Sequence, residues 1–449
     1  MRKMKDSGIE WIGEIPENWD VRRIKFTLES HSGGAWGTNE GEDETDVICV
    51  RVADFDYPQL TVKIHDKMTV RSYPVKIIDA SSIKNGDILL EKSGGGEVTP
   101  VGRSVLFNSN EPMMCANFIE WLRPNSNFNP RYLNYWLAAA YVNGFSKRNV
   151  KQTTGIQNLD VPAFLSERIV SPDVDMQDAI ADYLDKKCAE IDAIIAAKEK
   201  TNELLKERRQ SIIYEAVTKG LDTTVPMKDS GVEWIGEIPE SWDVCPVKYV
   251  IDKNHPYPVG DGDHGLIKAD DYLDEGIPYI RVLNLTWGEG LNLENLVYIS
   301  DEMNSRIKNS ELKPNDILIA KTGATIGKTA IVPDSLPRSN TTSHVGKITI
   351  SSDHDAVFFY YVMTSSIVQK QIQDLSAMQS TRPELGIDGL RNLLVVVPPV
   401  EEQQNISEFL NQQCAEINSV IDTNSSMIDK LKEYRQSVIY DAVTGKVEI

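Results

Sequence analysis

Residues 4–25 read MKDSGIEWIGEIPENWDVRRIK, and residues 227–248 read MKDSGVEWIGEIPESWDVCPVK. Seventeen of the 22 positions are identical, at an offset of 223. A repeat of this fidelity is read before any local pattern, because it sets the architecture. A second pair of matching blocks lies downstream. Residues 188–218 run CAEI…LKERRQSIIYEAVT and residues 414–444 run CAEI…LKEYRQSVIYDAVT, at an offset of 226. Between these blocks the two halves differ. The chain is one plan used twice: an opening motif, a variable body and a similar tail.

The tails predict helices. Residues 173–219 and 400–444 contain neither Gly nor Pro; Pro172 and Pro398-Pro399 precede them, and Gly220 and Gly445 follow. These are helix start and stop signals. Apolar residues fall at Ile180, Leu184, Ile191, Ile194, Ile195, Leu205 and Ile212 in the first tail. In the second they fall at Ile406, Leu410, Ile417, Val420, Ile421, Ile428, Leu431 and Val438. Spacings of three, four and seven are those of a coiled-coil seam. A helix of about 45 residues is roughly 65 Å long. Two like units in one chain predict antiparallel pairing. The stretch Lys198-Glu199-Lys200-Thr201-Asn202 is polar where a seam is expected, which predicts imperfect packing there.

The variable bodies read as mixed. Residues 46–52, 87–91, 101–107, 316–320 and 329–332 are rich in Val and Ile with Gly, Asn or Pro at their edges, the pattern of strands. Residues 131–141 and 356–373 read as helices. The expected fold class is α+β: two mixed bodies in tandem, separated by two long helices that form an antiparallel coiled coil. The segments are 1–170 (opening motif 4–25), 171–220, 221–397 (opening motif 227–248) and 398–449.

Composition narrows the function. Of 449 residues, 41% are hydrophobic and 25% charged, as in a soluble globular protein. No apolar run reaches the ~18 residues of a membrane span, and no apolar segment follows Met1-Arg2-Lys3 to make a secretory signal. Cys49, Cys115, Cys188, Cys245 and Cys414 are odd in number and scattered, without CxxC spacing. That argues against a disulfide framework or a zinc site and points to a reducing cytoplasm. The formal net charge is −20, distributed as −2 over 1–170, −4 over 171–224, −9 over 225–397 and −5 over 398–449. DNA affinity comes largely from Lys and Arg neutralising phosphates, so any DNA-binding face must be a local patch on an acidic body.

The layout resembles the specificity subunits of type I restriction–modification systems. The resemblance is carried by SGIEWIGEIPENW in the opening motif, and by NGDILLEKSGGG…VGRS (85–104) with PNDILIAKTGATIGKTAIV (314–332). It is also carried by the PP-x-x-EQQ…I…FL start of the second helix (398–410). The first helix keeps Gln177, Ile180 and Leu184 but has Met176 where the second has Gln403 or Glu402. The resemblance covers nearly the whole chain. It implies two target-recognition domains that each read one half of a split site in double-stranded DNA. It also implies two modification (methyltransferase) subunits docking on the helices and opening motifs, with restriction subunits joining afterwards. The subunit itself would be non-catalytic and carry no cofactor.

Gly323 to Thr329 ends in GKT, but a phosphate-binding P-loop needs four residues between its glycines and here there are three. A Gly-rich turn bringing Lys328 near a DNA phosphate, or a plain hairpin turn, fits better. Asn129-Pro130-Arg131-Tyr132 approaches the NPPY signature of adenine methyltransferases, with Arg131 in place of the second proline. Helix capping by Asn129 with Pro130 in the first helical position is the favoured reading. Asp87 and Lys92 recur as Asp316 and Lys321, while Glu91 becomes Ala320, so no nuclease carboxylate pair is repeated. The recurring Asp reads as a turn cap and the Lys as a phosphate contact.

The run Lys147-Arg148-Asn149-Val150-Lys151-Gln152 mixes phosphate-contacting and base-reading residue types, with Gln379 and Arg382 as counterparts. Candidate DNA contacts are therefore Lys92, Arg103, Lys147, Arg148, Lys151, Gln152, Lys321, Lys328, Gln379 and Arg382. No catalytic or metal-ligating residue is expected: His31, His65, His255, His264, His344 and His354 have no HxxxH spacing. Trp11 and Trp19 recur as Trp234 and Trp242, which predicts the same packing in each half. Two rival readings are a P-loop-like or methyltransferase enzyme, and a coiled-coil scaffold that reads no nucleic acid. The divergence of the two bodies speaks against the scaffold.

Overall fold

Each opening motif folds as a small hairpin. Met4–Asp6 pairs antiparallel with Glu14–Pro16, and Met227–Asp229 with Glu237–Pro239. The motif keeps its glycines because the turns need left-handed backbone: φ is 66° at Gly8 and 69° at Gly13, and 74° and 73° at Gly231 and Gly236. The structure, a computed structural model, describes residues 2–153, 156–336, 338–377 and 384–449.

The chain forms two compact units, Met1–Ala197 with Met427–Ile449, and Lys198–Ser426. In the first, a six-stranded sheet runs in the order Leu28–Gly33, Ile119–Pro124, Ile88–Glu91, Ser104–Leu106, Thr61–Val62, Phe55–Asp56. Beside it, Thr45–Val50 lies between Val70–Tyr73, antiparallel, and Met114–Cys115, parallel. In the second unit, Val259–Asp261, Val345–Ile348, Ile317–Ala320 and Thr329–Ile331 form the main sheet. There Ile277–Ile280 lies between Val297–Ile299, antiparallel, and Asn340–Thr341, parallel. The four strands of the second main sheet and its three-stranded neighbour match the first unit in order and sense, while Thr61–Val62 and Phe55–Asp56 extend the first main sheet alone; the bodies share this common topology despite their different sequences. Ile88–Glu91 and Ile317–Ala320 are buried on both faces, as the apolar runs Ile88–Leu90 and Ile317–Ala320 predict.

A short antiparallel pair closes each body before its long helix: Arg168–Ser171 with Asp20–Arg23, and Leu394–Val397 with Asp243–Pro246. The long helices span Val174–Lys219 and Val400–Val443. Gln177 and Gln403, both buried, tie each helix start to the body's own helix. Gln177 accepts from Asn129 N (2.9 Å) and donates to the Pro172 carbonyl (2.9 Å). Gln403 accepts from Asp355 N (2.9 Å) and donates to the Pro398 carbonyl (2.7 Å).

The seam follows Ile180, Leu184, Cys188, Ile191 and Ile195 in the first unit. In the second it follows Ile406, Leu410, Cys414 and Ile421. Both cysteines thus sit in seam positions. Ile194 and Val420, expected in the seam, are instead exposed, because the neighbouring Ile195 and Ile421 already fill it. Within each unit the paired helical stretches run antiparallel. Ile191 and Ile195 cluster with Ile428 and Leu431, while Cys188 shares a core with Val438 and Ile439. In the other unit Lys198 meets Asn424 and Arg209 meets Asn418. The polar stretch forms a hydrogen-bonded layer. Lys198 Nζ donates to Asn424 Oδ1 (3.2 Å), and Asn424 Nδ2 donates to Asn202 Oδ1 (2.9 Å).

Two expectations change. The helix expected over 356–373 is two helices, Ala356–Thr364 and Ser366–Ala377. The Thr364 and Ser365 hydroxyls donate to the Tyr361 (2.9 Å) and Val362 (2.6 Å) carbonyls, capping the first helix, and Ser365 turns extended. The duplicated tryptophans also do not all pack alike. Trp19 and Trp242 are buried, and Trp11 stacks among Trp136, Phe145 and Tyr440. Trp234, however, is 45% exposed. Counting 226 residues on from Trp136 gives Val362, so the large ring that Trp11 leans on has no aromatic counterpart. Among the described residues no helix is long and apolar enough to cross a membrane.

Candidate nucleic-acid interface

Lys92 and Lys321 each follow the last residue of a central strand. Their main chains anchor the next segment: Leu159 N donates to the Lys92 carbonyl, and Leu385 N to that of Lys321 (2.8 Å each). Both side chains are neutralised. Lys92 Nζ lies 3.0 Å from Glu120 Oε2, and the other oxygen of Glu120 lies 2.8 Å from His31 Nδ1. Lys321 is 2% exposed and pairs with Asp261, whose second oxygen lies 3.0 Å from His264 Nε2. The two clusters have the same composition, but the acid comes from Ile119–Pro124 in one body and from Val259–Asp261 in the other. A Cβ at Gly33 would meet Lys92 Nζ at 2.3 Å, so a larger residue there would displace the end of the lysine side chain.

Arg103 is also held inside its body. Its Nε bonds Glu91 Oε2 at 3.3 Å and its guanidinium lies over the Tyr57 ring at 3.6 Å. Burial pushes the Glu91 carboxyl up, against the opposing pull of Arg103 and Tyr57. Lys328 ends the turn Gly323–Thr325 between the antiparallel strands Ile317–Ala320 and Thr329–Ile331. This is a hairpin and no helix follows it, so the amides of a phosphate loop are not assembled here.

Among the described candidates, Lys147, Arg148 and Lys151 of the basic run are the most accessible. Lys147 and Arg148 are exposed on the short helical turn Ser146–Asn149, which feeds the strand Val150–Thr153. That strand pairs antiparallel with Ile156–Leu159, placing Lys151 opposite Asn158 and Gln152 opposite Gln157. Arg148 contacts Glu10 at 3.0 Å and Lys151 contacts Asp160 at 2.5 Å, with Arg148 and Lys151 themselves mostly solvated. Such pairs are weak and exchange readily for a phosphate. Gln379 and Arg382 lie outside the described residues.

The other motifs have structural roles. Asn129 Oδ1 accepts from Arg131 N (2.8 Å) and Tyr132 N (3.1 Å), with Pro130 opening the helix Pro130–Val142. Asp87 and Asp316 accept from Lys84 N (2.7 Å) and Lys313 N (2.9 Å), as turn caps do. Among the described residues no group of three or more His, Cys, Asp or Glu side chains is placed to hold a metal ion. Sequence reasoning missed Glu120, His31, Asp261 and His264. It also missed Arg209 and Arg435, although both stand in the repeated RQS block.

The model of the type I restriction modification DNA specificity domain matches residues 16–206 and 261–423. The type I restriction enzyme MjaVIII specificity subunit of Methanocaldococcus jannaschii is 24% identical over 442 residues, covering 97% of this chain and 94% of the relative. The EcoBI specificity subunit of Escherichia coli is 28% identical over 282 residues, 62% of this chain and 57% of the relative. A chain solved in work on complex assembly and conformational transition of the type I R-M system aligns with a TM-score of 0.70, covering 96% of this chain and 99% of that one. At 13% identity that match concerns the fold. The family match to both halves and the duplicated topology converge: this chain belongs to the type I restriction–modification DNA specificity family, as a non-catalytic DNA-recognition subunit.

Proposed function

We propose that each body reads one half of a split target in double-stranded DNA, and that the paired helices set the gap between the halves. The observation that carries this reading is the shared strand order of two bodies whose sequences differ. A common scaffold with unlike surfaces is what two unlike half-sites require. Segments 1–170 and 221–397 are the reading domains in this scheme, and 171–220 and 398–449 the spacing helices. Lys147, Arg148, Lys151 and Gln152 make contacts from the first body, and Lys328, Gln379 and Arg382 from the second. Lys92, Arg103 and Lys321, bound to carboxylates, shape the loops that carry those contacts.

Modification subunits, two in number, dock on the helices and opening motifs, which are the repeated parts of the chain; restriction subunits then join, in the cytoplasm. Readers on one face of B-DNA sit about one helical turn apart, roughly 34 Å, which leaves a gap of about six unread base pairs.

Inserting four residues after Lys200 and four after Ser426 tests the scheme. Each insertion adds about 6 Å and nearly keeps the seam. Sequencing of methylated sites should show the same half-sites with a gap one or two base pairs longer. Altered half-sites with an unaltered gap would overturn the scheme.

A further inference from the structure

Arg209 and Arg435 are one residue of the repeat, 226 positions apart. Arg209 is 3% exposed, and its guanidinium reaches three acceptors. They are Asn418 Oδ1 of the other helix (2.7 Å), the Trp287 carbonyl (3.1 Å) and Glu289 Oε1 (3.2 Å). In the other unit Arg435 Nε lies 3.0 Å from Asp192 Oδ1, and Asp192 Oδ2 accepts from Gln59 Nε2 at 3.3 Å. Asp192 and Asn418 are themselves 226 positions apart. Each arginine therefore joins the two helices of its unit and ties them, directly or through Asp192, to a turn of the DNA-reading body.

The two turns lie along the same side of counterpart strands, one at the strand's end and the other at its start. The carbonyl of Leu60, next to Gln59, accepts from Leu106 N (2.8 Å) of the strand Ser104–Leu106. Trp287 bridges to Thr329, and Thr329 N donates to the Thr286 carbonyl (3.2 Å). Thr329–Ile331 is the counterpart of Ser104–Leu106, antiparallel to the central strand in each body. The tie thus runs from helix pair to arginine to turn to sheet, twice, with different residues at the body end. At Arg209 the planar guanidinium forks to three acceptors and so fixes an angle as well as a distance, which a lysine ammonium does not, while Arg435 holds Asp192 through an ion pair.

We propose that Arg209 and Arg435 are positioning residues that hold each reading body at a set angle to its helices, so that they determine how strictly one gap length is required. Neither contacts DNA. One base-pair step is about 3.4 Å, so a small swing of a body is enough to admit a neighbouring gap. This inference rests on the split-target reading above.

The test uses the assembled modification complex with the full chain, unchanged or carrying R209K, R435K, E289A or Q59A. The substrate is a DNA library in which both half-sites are kept and the gap varies. The readout is the ratio of methylation at the preferred gap to that at gaps one base pair shorter or longer. The lysine variants should lower that ratio by about tenfold without changing the half-sites. Q59A removes the side chain that joins Asp192 to its turn, and E289A removes one of the two bonds from Arg209 to its own, leaving the Trp287 carbonyl; both should lower the ratio in the same direction by less. A merely stabilising arginine would reduce total methylation at an unchanged ratio, and that result overturns the proposal. Where a lysine variant fails to fold, an unchanged ratio in E289A and Q59A overturns it equally. The four-residue helix insertions separate the two ideas. If they leave the gap unmoved, the split-target reading fails; if they move it while all four variants keep the ratio, the arginine tie alone fails.

Discussion

The Tyr440 hydroxyl donates to the Trp11 carbonyl at 3.0 Å, across 429 positions of sequence. Around that bond Val438, Ile439, Ala442 and Val443 enter the same core as Ile12, Ile15 and Trp19. The end of the second long helix is thus part of the first body's core. A chain of residues 1–226 lacks it. Its own Ile212, Ile213, Ala216 and Val217 stand at the equivalent repeat positions, and in the full chain Ile213, Ala216 and Val217 are buried. A second copy can therefore supply the missing surface, and an exposed seam favours that association. Chain 1–226 should be a homodimer by light scattering, and with modification subunits it should methylate a palindrome of the first half-target. A stable monomer would rule this out.

Gln177→Ala and Gln403→Ala should each destabilise the chain by about 1–3 kcal/mol, because each strands a half-buried main-chain donor and a buried carbonyl. Denaturant unfolding measures the loss. Similar effects are expected from the two changes, since the two glutamines share these two bonds and differ in a third, to the Asn127 carbonyl for Gln177 and to the His354 ring for Gln403. A loss at only one site would show that the helix starts are not equivalent.

Replacing Lys147, Arg148 and Lys151 together with Ala should weaken DNA binding by the complex and flatten its salt dependence. The log–log slope should fall by roughly two to three units, at ~0.9 per phosphate. Glu10→Gln and Asp160→Asn should act in the opposite sense, since they free Arg148 and Lys151 from their carboxylates. Subunit assembly should not change. An unaltered slope would mean that the run is only solvated.

Lys321→Ala should differ in kind from Lys92→Ala. The Lys321–Asp261 pair is buried, so removing the lysine leaves Asp261 beside His264, whose ring is largely exposed, and should cost about 3–5 kcal/mol of stability. Lys92 is part-exposed, and its carboxylate partner keeps His31, so its loss should be much milder. Thermal unfolding of the two variants checks the order, and a reversed order would contradict the roles assigned to these pairs.

Much of the fold was legible because two signals reinforce one another, the repeat and the helical period. The long helices fall within a residue or two of where Gly and Pro mark them. The seam is harder to read at Cys188 and Cys414, because a thiol does not stand out as apolar, and at Ile194 and Val420, where two adjacent apolar residues compete for one position. The break at Ser365 was hidden because Ser and Thr do not stop a helix by composition; their hydroxyls had to find the preceding carbonyls. The candidate interface was legible as exposed basic residues but not as ion pairs. Lys92 meets an acid 28 positions away and Lys321 one 60 positions away, on different strands. Such pairs follow from strand order, which short-range spacing does not reveal.

The polar layer of Lys198, Asn202 and Asn424 has a consequence for alignment. A seam of Ile and Leu alone can slide by one heptad at little cost, because each apolar side chain meets another. Here a one-heptad slip brings Ile417 opposite Asn202 in place of Asn424 and leaves the amides without partners, at about 1–3 kcal/mol for each one buried. A shifted register is therefore penalised even where its apolar contacts are as good as the native ones. The weakest stretch of the helices by hydrophobicity is the one that makes their register unique.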